Sequence, residues 1–579
     1  QVKAISSVSG GGWVAGPYTY LQGQTTDAQF LNTYVPPAQL TTAPSQTAQC
    51  VNYLPPNNIG HAVTSGKFSL IDMVAEFLVM LYTTHRDGNY ARSLIWQTMI
   101  GQHMLKPYGL YTAGPYWRPA TTYSYSAAAL KHYPDNAAMA PADYYANVLD
   151  SNRAARPFHI CNLSMKVQDQ RGVFASLVAA TPLYTGMFGT SQTAKTQSGI
   201  PVGNGGIATF GFNSYTGQKS ASADGTYPIR QTRQWGLSDS VGVSSAFIAA
   251  FVWAYVKELS TEEIYTILAE RGPQACRMLG ETIPPQVQAE LMALNKSPAE
   301  QAGLVIHWSL VGLIIYEMIQ ALRNEGDATV PHYSYWPASS IASAWPPADS
   351  SHILPGTLVT EFADGGLLEN TGLASLFAFE DIVSAFAFVN SATPISQSES
   401  SAGVDGYPNT NIIVDDAVST LFGYMRYNSK DGYVPFSSAT SSLDLQNRCA
   451  ATAQIFPSSS FPELLQGLWA ATGDGATGPA VFPQTIPLQN NALFNIKGGR
   501  TVNVWWYYLN ASSTWQNQLA PDVAALMSGS GFDNFPHYDT IMDTELTVPQ
   551  YNLLANLAAW MVTTTASEYM AKIMKSDPA

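Results

Sequence analysis

Residues 2–21 read VKAISSVSGGGWVAGPYTYL. Val2 to Val8 has the apolar character of a short buried strand. Ser9 follows at once, then Gly10, Gly11, Gly12 and Trp13, then an apolar helical pattern to Leu21. A strand, a tight small-residue turn carrying a serine, and a helix together make the nucleophile-elbow arrangement of serine hydrolases. The turn strains the serine backbone, so its neighbours must be small, and Ser7, Gly10 and Gly11 meet that need. The helix start aims unpaired N–H groups at any oxyanion formed there, Gly10 first and Gly11 second. The pattern is S-x-S-G-G where G-x-S-x-G is commoner, so Ser7 stands in a glycine slot. A glycine-rich turn that only lets a helix pack on a strand is the plainer alternative. A phosphate-cradling loop fits worse, because neither G-K-[ST] nor G-x-G-x-x-G with a following acidic residue is present.

A second stretch, EFADGGLLENTGLASLFAFEDIVSAFAFVNSATPI at 361–395, carries Asp364 before Gly365 and Gly366, with Asn370 soon after. The segment S-V-S-G-G-G-W-V-A-G-P resembles the G-L-S-G-G-S-W-L-V-G-S stretch of fungal phospholipase B and its cytosolic phospholipase relatives. D-G-G-x-x-x-N-x-x-L resembles the aspartate motif of the same patatin-like family, in the same order along the chain. Weaker echoes are TPLYTG (181–186), WGLSDSVGVSSA (235–246) and NFPHYDTIMDTELT (534–547). The resemblance implies a Ser-Asp dyad, with Ser9 as nucleophile and Asp364 as its base. It also implies ester cleavage of a phospholipid or lysophospholipid substrate through an acyl-enzyme, with no cofactor and no metal.

A serine hydroxyl is a poor nucleophile until a base takes its proton. A carboxylate can serve if burial raises its pKa. Gly365 and Gly366 let the aspartate turn lie close to the serine, and Asn370 either braces that turn or is an ordinary turn residue. Of the nine histidines, only His537 follows Asp364, as a Ser-Asp-His order would require. The rival nucleophile is Ser238 in G-L-S-D-S, with Gly10 to Gly12 then acting as an upstream oxyanion loop. Its approach, YPIRQTRQW, is too polar for a central strand, and Asp239 would repel a forming oxyanion. In the resembled family a glycine-rich oxyanion loop and an arginine lie upstream of the serine, whereas eight residues precede Ser9 here. The expectation is that Gln1 arises by proteolytic processing and that an N-terminal piece stays bound or lies outside this sequence, with a homo-oligomer as the alternative partner.

Among 579 residues, 46% are hydrophobic and only 12% charged, with a net charge of −14. About a quarter charged is usual, so the surface must be largely uncharged and polar. That suits a secreted or lumenal protein. No basic patch stands out, which excludes nucleic acid and an anionic-lipid-binding polybasic segment. Cys50, Cys161, Cys276 and Cys449 lie far apart without C-x-x-C, so they read as two disulfides or four buried thiols and not as a zinc site. Sequons at Asn162, Asn295 and Asn510 lean toward a secreted glycoprotein.

Along the chain, 69–84 and 90–105 read as helices, Phe158–Leu163 and Val173–Ala180 as strands. SVGVSSAFIAAFVWAYVKEL reads as one apolar helix, followed by a capping box at Ser260 to Glu263. Residues 303–322 are apolar for about the length of a bilayer span, but contain His307 and Glu317; a buried helix is preferred over a membrane contact. Residues 324–360 read as linker. Ile412–Val414 and Thr501–Tyr508 read as strands, and 549–564 as a closing helix. The expected fold class is α/β: a central mixed sheet flanked by helices, with the nucleophile elbow and a large helical or irregular cap. One catalytic domain over 1–579 is expected, with a loop-rich cap at 22–235 and a helical insertion at 240–323. The competing functional readings are a retired hydrolase fold used in structure or assembly, and a lipid carrier.

Overall fold

The structure, a computed structural model, describes all residues except 1, 24, 66–67, 132–138, 150–155, 170–171, 190–204, 216–229, 232, 293–312, 322–330, 335–358, 439–444, 474, 476, 540–544 and 577–579. The fold is mixed α/β. Contacts divide the chain into two compact units, each built from two segments: 1–23 with 66–366, and 24–65 with 367–579.

The first unit is organised on one long strand. Strands are β1 (Ala4–Val8), β2 (Phe158–Asp169), β3 (Gly172–Ala180), β4 (Tyr184–Met187), β5 (Gly205–Ala208), β6 (His332–Ser334) and β7 (Val359–Asp364). They form a seven-stranded sheet in the order β6-β7-β2-β3-β4-β5, with β1 also on β2. One edge of β2 pairs with β3, antiparallel, from Cys161↔Ala180 to Asp169↔Gly172. The other edge is shared. Parallel β1 occupies it up to Val8↔Asn162, and antiparallel β7 takes over at Asp364↔Leu163. Two strands thus arrive from opposite directions, and their C-terminal ends meet over one peptide of β2.

The strands β2 to β5, expected in the cap, therefore build the sheet itself. Phe158–Leu163 and Val173–Ala180 were legible as strands, β4 and β5 were not, and sequence distance from Ser9 hid the pairing. Helix α1 (Gly12–Tyr20) follows β1, and α2 (Leu70–Arg86) is buried from Asp72 to Thr83. The Ser69 side chain caps α2 by accepting from the Asp72 N–H. The one acid deep in α2, Glu76, meets buried His103 at 2.7 Å. The segment read as one helix over 240–259 is two: α3 (Leu237–Ser244) and α4 (Ala246–Val256), bent by 67°. Ser245 Oγ donates to the Val241 and Gly242 carbonyls and accepts from Trp13 Nε1. A serine bonding back to the preceding turn competes with the helix ladder and bends it. The expected capping box at Ser260 opens α5 (Thr261–Leu279). Far from being an insertion, α3 lies against β2.

In the second unit, β8 (Ser384–Val389) runs parallel to β10 (Thr501–Tyr508), which pairs antiparallel with β9 (Val481–Pro487). Helix α6 (Val548–Ser576) sets Leu553, Leu557, Trp560 and Met561 into a cluster with Trp505, Tyr507 and Trp515. Val35, Leu40 and Val51 join that cluster, which fixes the otherwise irregular 24–65 segment in this unit.

All four cysteines are buried free thiols. The Asn162 and Asn510 side chains are 1% and 3% exposed and hydrogen-bonded, so neither amide is open to a glycan. Asn295 lies outside the described residues. No single described helix is long and apolar enough to cross a membrane; residues 313–321 are helical, and 303–312 lie outside the described residues, as does nearly all of the 324–360 linker.

Candidate active site

The meeting of β1 and β7 over β2 decides what touches what. Val8 ends β1, and Ser9 begins a 3-10 turn, Ser9–Gly11, that runs into α1. Ser9 holds φ 51°, a left-handed conformation that costs a non-glycine residue about 1 kcal/mol or more. Two neighbours hold it there. The Ser9 N–H donates to Ser244 Oγ at 3.0 Å, and that hydroxyl donates to the Asn162 carbonyl at 2.7 Å. The strained serine is thereby tied to the β2 peptide at which the two strand ends meet.

Asp364 closes β7 on the other side of that peptide. Ser9 Oγ donates to Asp364 Oδ2 at 3.0 Å. The same oxygen accepts from the Phe247 N–H at 3.2 Å, and Oδ1 accepts from the Gly366 N–H at 2.8 Å. Ser164 Oγ fixes the Asp364 carbonyl at 2.8 Å. The carboxylate is buried, and desolvation pushes its pKa up to about 6, against the pull of the Gly366, Phe247 and Ser9 donors. A base near neutrality is what proton abstraction at ordinary pH calls for.

Gly365 is required by the backbone. A Cβ there would sit 2.3 Å from the Asn162 carbonyl oxygen. Gly366 contributes its amide. Gly10 and Gly11 are exposed beside Ser9, and a Cβ on Gly10 would meet nothing within 4 Å. Its smallness answers no packing need inside the chain and leaves the space over Ser9 open. The Gly10 amide precedes the first i→i+3 bond of the turn, so the helix does not consume it. Ser7, in the slot usually held by glycine, shares a buried 2.8 Å hydrogen bond with His159 Nε2. Burial lowers the His159 pKa to about 4.

Asn370 is exposed and does not tie the turn. Its neighbour Glu369 ties the next turn: one carboxylate oxygen accepts from the Thr371 N–H and hydroxyl and from the Gly372 N–H, the other from the Ala374 N–H. His537 is engaged by other groups. Its ring nitrogens lie 2.9 Å from the Ser391 carbonyl and 3.0 Å from Asn510 Oδ1, both within the second unit. Ser238 is buried in the first turn of α3, next to an Asp239 held by Arg233. Among the described residues no group of three or more His, Cys, Asp or Glu side chains is placed to hold a metal ion.

Sequence reasoning missed Ser244, Phe247, Asn162 and Ser164. The first two flank the bend between α3 and α4, so one break in one apolar run places both the Ser9 backbone and the Asp364 carboxylate. The serine pair inside that run was the available signal, because paired serines mark a helix break. Asn162 and Ser164 left none, since polar residues on a buried strand are unremarkable until their partners are seen.

Comparison with protein-family models, with curated proteins and with solved structures returns no match.

Proposed function

We propose that this chain is a serine acyl hydrolase of the phospholipase or lysophospholipase kind, working through a Ser9–Asp364 dyad at a nucleophile elbow in a patatin-like fold. The observation that carries the proposal is the 3.0 Å hydrogen bond from a strained, partly exposed serine to a buried carboxylate. Asp364 Oδ2 takes the Ser9 proton as Oγ attacks the ester carbonyl carbon. The carbonyl oxygen becomes an oxyanion beside the Gly10 N–H, a donor already oriented before the reaction. Collapse breaks the ester bond, Asp364 returns the proton to the departing alkoxide, and the acyl group stays on Ser9. Water then loses a proton to Asp364 and attacks the acyl-enzyme, releasing a fatty acid and restoring Ser9. These steps use this chain's own groups and call for no cofactor. The low charge content supports a secreted or lumenal setting, and a membrane surface is the natural source of such a substrate.

Turnover of a lysophospholipid by the purified chain, with fatty-acid release measured for wild type and Ser9→Ala, tests the proposal. Release that falls to background in Ser9→Ala supports it. A folded wild-type chain that releases nothing, from a lysophospholipid or a short-chain ester, overturns it in favour of a retired hydrolase fold.

A further inference from the structure

Helix α4, AFIAAFVWAYV, contains no polar side-chain group other than the Trp253 indole N–H and the Tyr255 hydroxyl along its eleven residues. One face, with Ile248, Ala249, Val252, Trp253 and Val256, is buried. The opposite face should then carry charged or polar residues, as the solvent side of a surface helix does. It does not. Phe247 is 51% exposed and Tyr255 40%, and Ala250 and Ala254 are also exposed. With half-buried Phe251 they recur at 247, 250, 251, 254 and 255, the spacing of a continuous stripe on one side of a helix. The stripe runs about 12 Å at 1.5 Å per residue. It begins at the dyad, because the residue that opens it, Phe247, gives its backbone N–H to Asp364. On α1, the helix that starts beside Ser9, Val14 is likewise 42% exposed.

We infer that the open face of α4 is the track for the acyl chain of the substrate, which makes this a site for long, unbranched acyl esters. The inference rests on the hydrolase reading above. The occupant follows from where the stripe starts. Whatever covers it must be apolar along some two helical turns and must present a carbonyl at Ser9 at one end. A fatty-acyl ester has that form, with its carboxyl end at the dyad and its chain running toward Tyr255. Each methylene laid on the stripe leaves water and adds to transition-state binding, up to about fourfold per methylene when fully buried.

The experiment is kcat/KM for a series of soluble p-nitrophenyl esters from acetate to decanoate, below their aggregation limits. It uses wild type, Tyr255→Gln and Ala250→Trp. Wild type is expected to gain with each added methylene. Tyr255→Gln should match wild type on short esters and lose roughly tenfold on decanoate. Ala250→Trp, which blocks the track one turn beyond Phe247, should cut off all but the shortest chains. Equal acetate rates also show that both variants are folded. Chain-length profiles that run parallel in all three proteins overturn the inference and leave the hydrolase reading standing. The inference is likewise overturned if Tyr255→Gln changes only the sedimentation of the protein, which would make the stripe a contact between copies. If wild type cleaves no ester at all, the hydrolase reading fails and takes this inference with it.

Discussion

Asp364 and Asp239 are both buried in the first unit, and they differ in what compensates their charge. Asp239 has a cation. Arg233 donates to both of its oxygens, at 2.8 and 2.6 Å, and the Gly236 N–H and Tyr333 hydroxyl add donors at 2.8 and 2.9 Å. Arg233 also lies over the Tyr333 ring, and Asp239 raises its pKa, so the guanidinium stays charged. Every lone pair that matters on Asp239 is spent on holding α3 in place. Asp364 has two backbone amides and one hydroxyl, and among the described residues no cation is bonded to it. Its charge is therefore poorly compensated, its pKa rises to about 6, and its proton affinity is available to Ser9. A buried acid with a guanidinium is an ion pair, and a buried acid with only a hydroxyl and amides is a base in waiting.

Neutralising each acid in turn should pull activity and stability apart. Asp364→Asn is expected to cut ester turnover by about 10³-fold, within the range for loss of a positioned general base. It should also stabilise the fold at pH 7.5. An acid with an ordinary value of 3.8 raised to about 6 binds more protons folded than unfolded, so its contribution is full below 3.8 and is lost as pH rises through 6. That loss is about 3 kcal/mol at about 1.4 kcal/mol per pKa unit, and urea unfolding of the two proteins reads how much the asparagine recovers. Asp239→Asn should do the reverse. It strands the Arg233 charge in the interior, a defect that costs about 3–5 kcal/mol, and activity should fall only as far as the folded fraction does. Equal stability losses in the two variants would break the distinction.

Ser244→Ala sharpens it at Ser9, the proposed nucleophile. The substitution leaves the Ser9 N–H and the Asn162 carbonyl without their shared partner, at about 1–3 kcal/mol. Ser9 should relax from its left-handed conformation, lowering kcat about 10-fold or more with little change in KM. An unchanged kcat would mean that the strain is held elsewhere.

The smallest effects concern pH. Deprotonation of Asp364 should make kcat/KM rise through about pH 6 and level off above 7. Stability carries a second signature, because His159 moves the opposite way. Its pKa falls from 6.5 to about 4, so the folded state binds fewer protons in that window and loses stability as pH drops through it. In wild type the two slopes oppose each other between pH 4 and 6. Removing one of them in Asp364→Asn should expose a steeper acid loss, readable as Tm against pH.

Ser9 and Asp364 were legible because their demands are local. A serine after an apolar strand and before three glycines, and an aspartate before two, announce turns that few other purposes need. Gly365 was legible for the same reason. The pairing of β1, β2 and β7 was not, because β2 lies some 150 residues from Ser9 and nothing in an apolar strand names its neighbours. The division into two units was hidden too. Residues 24–65 look irregular and polar, and only the burial of Val35, Leu40 and Val51 beside Trp515 and Leu557 assigns them to the second unit. The bend at Ser245 lay between. Two serines inside an apolar run were the available signal, but the run reads as one helix, and the consequence of its break, two contacts to Ser9 and Asp364 three residues apart, needed the fold.

Labelling with a fluorophosphonate, followed by mass mapping of the adduct, tests the pairing of Ser9 with Asp364 most directly. The expected result is one adduct, on Ser9, formed faster as pH rises through about 6 and lost in Asp364→Asn although that protein is folded. Labelling of Ser238, or labelling of Ser9 at the same rate with and without the Asp364 carboxylate, would contradict it.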